Sequence, residues 1–211
     1  MKVTKEKKKR GRSNKKEQKK HPKIPPQLIY EEMDGIPIYY RGYKDVLNKN
    51  KTLDDIMGSS QLQSLIVSLL LKYLFKNLDE NHYEAYTNEV GLHLSKGNNL
   101  ASDIAIYKTS DLADYPIDDT YFNIPPKIAI EVDTKAELTE IKWEKYLKKK
   151  TKKLLAFGVE KVIWILTASQ QVILAESEKD WLIRDWDKPF AIIDEHSVNL
   201  GEMLKAKGVK Q

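Results

Sequence analysis

The chain has 211 residues, 41% of them hydrophobic, and sets 36 Lys and Arg against 31 Asp and Glu for a net charge of +5. That length suits one domain with a sizeable core and a short appendage. The absence of cysteine excludes disulfides, thiolate metal sites and a cysteine nucleophile. His21, His82, His93 and His196 have no metal-ligand spacing, so a histidine-rich zinc site is not expected. The basic start, MKVTKEKKKRGRS, is not followed by an apolar stretch of the secretory kind. The longest apolar run, 62–75, is broken by Ser64, Ser68 and Lys72 and is shorter than the ~20 residues needed to span a bilayer. The expectation is a soluble, cytoplasmic protein with no membrane partner.

The net charge hides an asymmetry. Residues 1–23 hold twelve Lys and Arg and two acids, Glu6 and Glu17, for a net +10. The other 188 residues therefore carry −5. Val3 is the one branched aliphatic residue in that segment, and no aromatic residue occurs there, so it lacks the apolar surface that folding requires. A basic arm of this kind can hold a polyanion without reading its sequence. Its simplest alternative role is to aid solubility. Lys23-Ile24-Pro25-Pro26 then reads as a rigid linker. The expected organisation is a basic disordered tail and linker over 1–27, followed by a single domain over 28–211.

The domain opens on Leu28-Ile29-Tyr30 and a turn at Asp34-Gly35. A short helix is expected near 54–57. Ser60 with Gln63 three residues later forms a capping-box pattern, opening a helix over about 60–78. Apolar residues cover nearly its whole circumference, which places it either centrally in the core or against a partner subunit. Strands follow at 87–94 and 102–107, joined by a hairpin at Lys96-Gly97-Asn98-Asn99. After a polar loop and Pro125-Pro126, residues 127–133 contain the strand-like IAIEV. A helix is predicted over about 137–157, stopped by Gly158. Strands at 161–166, 171–175 and 190–193 complete the pattern. The order is α-β-β-β-α-β, an α/β fold with a mixed central sheet flanked by helices.

Alternation of period two puts Asp103, Ala105 and Tyr107 on one face of their strand and Ile104 and Ile106 on the other. In the next strand, Ala129, Glu131 and Asp133 oppose Ile128, Ile130 and Val132. Antiparallel pairing of these strands would bring Asp103 beside Glu131 and Asp133. Three carboxylates on one face of a central sheet cost several kcal/mol each unless compensated, and a cation would compensate them. Oxygen-only ligands favour Mg²⁺ or Mn²⁺ over zinc. In the following helix, Tyr146, Leu147, Leu154 and Phe157 mark an inward stripe, and Lys150 falls within it. The alternative for the acids is exposure at strand ends, paired with neighbouring lysines.

The helix–strand order, Ser102-Asp103, IAIEVDTK at 128–135 and KKKTKKLLAFGVEKVIWI at 148–165 resemble the PD-(D/E)XK nuclease superfamily. Within it the chain is most similar to the Uma-type restriction endonucleases, from YEEMDG at 30–35 to about Leu204, leaving the basic tail uncovered. The resemblance implies a restriction-endonuclease-like α-β-β-β-α-β core and a Mg²⁺-dependent (or Mn²⁺-dependent) endonuclease that hydrolyses phosphodiester bonds of DNA. Asp103 matches the motif aspartate, with Ser102 in place of proline. Glu131 matches the second acid. Asp133 stands where the superfamily has lysine. The resemblance assigns the lysine's part to Lys150 on the following helix, or to Lys135, and metal binding to Asp103, Glu131 and Asp133. Glu31 and Glu32 are further acids that related nucleases sometimes use. A homodimer is expected. The departures at Ser102 and Asp133 also suit a different class of protein, an inactive relative that binds nucleic acid or a protein partner.

Overall fold

Asp34 and Gly35 both adopt positive φ, the backbone that a two-residue Asp-Gly hairpin turn demands. They join β1 (Ile29–Met33) to β2 (Ile36–Tyr39) at the start of the computed structural model, which describes residues 24–139, 142–194 and 196–209. The basic segment 1–23 lies outside the described residues. Two short helices, α1 (Tyr43–Leu47) and α2 (Asp54–Met57), lead to α3 (Gln61–Asn77). The long hairpin of β3 (Tyr83–Ser95) and β4 (Asn98–Lys108) follows, then α4 (Thr109–Leu112), a loop, and β5 (Ile128–Val132). Helix α5 (Trp143–Phe157) connects β5 to β6 (Lys161–Leu166). The chain ends with β7 (Gln171–Glu176), β8 (Leu182–Asp185), β9 (Phe190–Ile193), β10 (His196–Val198) and α6 (Leu200–Lys205).

The main sheet runs β2-β1-β4-β5-β6-β7-β8, with β3 also paired to β4. Strands β5 and β6 are parallel, while the remaining pairs are antiparallel, so the sheet is mixed. A helical crossover is what joins parallel neighbours, and α5 supplies it. Ile104 faces Ile130 and Ala105 faces Ala129 across β4 and β5. The alternation expected from sequence therefore sorts two cores. On one side Ile104, Ile106, Ile128 and Ile130 meet Ile66, Leu70 and Leu74 of α3 and Leu204 of α6. On the other, Ala105, Tyr107 and Ala129 meet Tyr146, Leu147 and Leu154 of α5. The alanines let α5 approach the sheet closely.

Three boundaries differ from the sequence reading. Strand β5 stops at Val132 because Asp133 turns to φ 58°. Helix α5 starts at Trp143, not near 137. Residues 136 and 137 are tied to the end of β2 instead: Ala136 bridges Tyr40, and Glu137 N–H donates to Tyr39 C=O at 2.7 Å. Those tertiary hydrogen bonds outweigh the helical pattern of the sequence. The β3–β4 hairpin is longer than expected and carries a bulge at Asn88-Glu89, both at positive φ. Among the described residues, no helix is long and apolar enough to cross a membrane.

Helix α3 is fixed by its cap and its buried stripe. Ser60 Oγ accepts Gln63 N–H at 3.2 Å, and Ile66, Leu70 and Leu74 are fully buried. Leu70→Ala should lower unfolding stability by about 2–5 kcal/mol. Urea titration followed by circular dichroism will read this as a lower midpoint at unchanged slope.

Candidate active site

Strand β4 has β3 along one edge, while β1 and β5 share the other. Strand β1 reaches it at Asn99, and β5 begins to pair only at Ile104. Neither covers Ala101, and a buried backbone group without a partner is costly. Side chains fill the gap. Glu31 Oε1 accepts Ala101 N–H at 3.1 Å, and Lys150 Nζ donates to Ala101 C=O at 2.7 Å.

Lys150 is the hub of this gap. Its Nζ donates to Glu131 Oε2 at 2.8 Å as well as to Ala101, and forms an ion pair with Glu31 Oε1 at 2.7 Å. The side chain is fully buried and is flanked by the rings of Trp164 and Tyr30, at 5.5 and 6.0 Å from Nζ. Such aromatic faces stabilise a desolvated cation. Glu31 is satisfied at its other oxygen too, where Tyr146 Oη donates to Oε2 at 2.7 Å. Tyr146 and Lys150 are one helical turn apart on α5, so a single helix face delivers both groups. Glu131 differs: its Oε1 is buried and has no hydrogen-bond partner.

Asp103 stands beside this cluster, one step beyond the last β4–β5 pair. Val132 N–H donates to its Oδ2 at 2.7 Å, and Gln63 Nε2 donates to Oδ1 at 3.4 Å. Gln63 thus uses its backbone for the α3 cap and its side chain for Asp103. Outward from Asp103 lies a groove of about 710 Å³ between α3 and the β3 bulge. Glu89 of the bulge and Lys135 form an ion pair there. β-Bulges re-aim side chains, and this one turns Glu89 toward the groove.

Asp133 requires a correction. Its expected place beside Glu131 assumed that β5 continues in alternation. The turn at Asp133 instead directs the carboxylate to the turn after β6, where Oδ1 accepts Thr167 N–H at 2.8 Å and Oδ2 accepts Thr167 Oγ1 at 2.5 Å. It lines a different cavity, with Arg41 and Trp143. Asp103, Glu131 and Lys150 are brought together. Glu31, which the sequence offered only as an accessory acid, takes the remaining place.

Burial is the dominant electrostatic influence. It pushes the Glu131 carboxyl up to about 8, against the opposing attraction of Lys150. It also raises Asp103, partly offset by the Val132 N–H and Lys150. For Lys150, burial alone would lower the ammonium, but Glu131 and Glu31 outweigh it and hold it well above its ordinary value. With three acids around one lysine, the site carries excess negative charge. Either a proton on Glu131 or a bound cation relieves it. Among the described residues, no three His, Cys, Asp or Glu side chains stand together as a ready metal cage. A cation at Asp103 and Glu131 would therefore draw further oxygens from backbone and solvent.

The fold is similar to that of a crystal structure described as a putative nuclease belonging to DUF820, from Anabaena variabilis. The TM-score is 0.62 over 83% of this chain and 89% of that one, at 14% sequence identity. This likeness establishes the fold. No family model matches the chain, and no curated protein matches it.

The native state binds the Glu131 proton more tightly than an unfolded carboxyl with its ordinary value of 4.5. Stability is thus greatest below about 4.5 for this group and is lost as pH rises through about 8. Thermal unfolding should show that fall, up to about 1.4 kcal/mol per pH unit, and Glu131→Gln should flatten it. Lys150→Met leaves buried carboxylates without their cation and should cost about 3–5 kcal/mol.

Proposed function

We propose that the protein is a metal-dependent endonuclease of the PD-(D/E)XK type, hydrolysing phosphodiester bonds of DNA at Asp103 and Glu131. The observation that carries this reading is the buried, unpartnered Oε1 of Glu131 next to Asp103. Lys150 fixes the carboxylate through Oε2 and leaves Oε1 free for a cation. The donor set is all oxygen, which suits Mg²⁺ or Mn²⁺. Asp103, Glu131 and the Val132 carbonyl would hold the ion; Asp133 is left out because Thr167 occupies its carboxylate. A bound ion supplies charge neutralisation at the phosphoryl oxygens and lowers the pKa of a coordinated water.

The chain's own residues account for the rest of the arrangement. Lys150 orients Glu131 and places a positive charge near the developing negative charge of the reacting phosphate. Glu31 and Tyr146 hold Lys150 from behind, in the manner of outer-shell partners that orient metal ligands. Burial of the cluster keeps these charges in a low dielectric, where their effect on the phosphate is strongest. The groove beside Asp103 provides access from solvent. The basic 1–23 segment supports retention on a polyanion. The nuclease description of the structurally similar Anabaena variabilis protein supports the same reading.

Plasmid and oligonucleotide cleavage with Mg²⁺ or Mn²⁺ tests it, running wild type beside Asp103→Ala and Glu131→Ala. Both variants should lose at least about a hundredfold in rate while retaining the wild-type circular dichroism spectrum, since even outer-shell losses cost 10–100-fold. Equal cleavage by all three proteins would overturn the assignment. Nucleic-acid binding that depends on residues 1–23, without metal-dependent cleavage, would instead make this an inactive binding relative.

A further inference from the structure

Helix α3 presents two apolar faces. Ile66, Leu70 and Leu74 enter the core, whereas Val67, Leu71 and Phe75 line the groove that opens on Asp103. Phe75 is 61% exposed, and Met57, which also lines the groove, is 42% exposed. Ser64 and Ser68 lie on the same face, one turn apart, and add hydroxyls to an otherwise apolar wall. From Ser64 to Phe75 the wall runs roughly 16 Å at about 1.5 Å per residue.

Resting on the nuclease reading, we infer that this groove takes an unpaired stretch of DNA whose bases lie against α3, with Phe75 stacked on one of them. The wall is continuous with Asp103, so a strand lying on it is presented to the acidic site. Its chemistry selects the form of that strand. A duplex hides its base faces and offers the wall only sugar, phosphate and groove edges. Recognition of duplex backbone needs rows of Lys and Arg. The described residues lining this groove set two cations, Lys72 and Lys135, against two acids, Glu89 and Asp103, with Lys135 paired to Glu89, so contacts to bases and not to phosphates must carry binding here. An unpaired strand exposes π-faces that an aromatic and aliphatic wall can cover, and serine hydroxyls can bond the freed base edges. The same wall explains why α3 is apolar around most of its circumference without being wholly buried.

The full-length protein should be assayed with Mn²⁺ on a labelled single-stranded oligonucleotide and on its blunt-ended duplex. Wild type is expected to cut the single strand at least about tenfold faster. Phe75→Ala should weaken single-strand binding about tenfold, as loss of one stacked base does, with the loss in KM rather than kcat. Phe75→Trp should restore it, and duplex binding should be the same in all three proteins. Duplex cleavage as fast as single-strand cleavage, or single-strand binding indifferent to Phe75→Ala, overturns the inference. The nuclease reading would still stand if Asp103→Ala and Glu131→Ala abolish that cleavage. If wild type cuts neither substrate, the nuclease reading fails and this inference with it. A dimer in light scattering that Phe75→Ala splits would assign the wall to a second copy of the chain, which also overturns it.

Discussion

A single buried ammonium organises the centre of this molecule. Lys150 bridges Glu31 of the first hairpin, Glu131 of a central strand and the carbonyl of Ala101 in the neighbouring strand. Both acids are buried, so neither can turn to water instead. A lysine placed there without acids would lose its proton or unfold the region; acids without the lysine would take up protons or unfold it. The hub therefore ties the β1–β2 hairpin, the sheet and α5 into one unit. It does so at the point where one edge of β4 has no neighbouring strand.

That gap connects fold to chemistry. Where a strand would ordinarily cover Ala101, two side chains satisfy its polar groups and bring charge into the sheet. Packing of α5 against Ala105 and Ala129 makes room for the long Lys150 side chain to reach across. Glu31 is saturated by Ala101, Lys150 and Tyr146, and so is committed to structure. Glu131 keeps one oxygen unsatisfied, and the proposed reading gives that oxygen to a cation. The distinction arises from the number of donors that reach each carboxylate, since both are buried and both touch the same lysine.

Much of this was legible in the sequence. Period-two alternation in the second and third strands separates the isoleucine face from the alanine face, and antiparallel pairing then puts Asp103 beside Glu131. The i, i+4 spacing of Tyr146 and Lys150 places both on the buried face of α5. Asp133 was misplaced because its positive φ ends the strand, and a bonding partner 34 residues away, Thr167, determines that turn. Such long-range hydrogen bonds leave no local pattern. The late start of α5 has a similar cause, in the pairing of Ala136 with Tyr40. Glu89 escaped notice because a bulge interrupts the alternation of β3. Gln63 was read as a capping residue, and its side chain serves Asp103 as well.

The central claim is that Asp103 and Glu131 together hold a divalent cation. Calorimetric titration of Mn²⁺ into wild type, Asp103→Asn and Glu131→Gln tests it without relying on turnover. These isosteric replacements keep the shape of the site and remove one charge each. The account predicts a saturable site in wild type whose affinity falls at least about tenfold in either variant. Mn²⁺ binding of equal strength in all three proteins would contradict it.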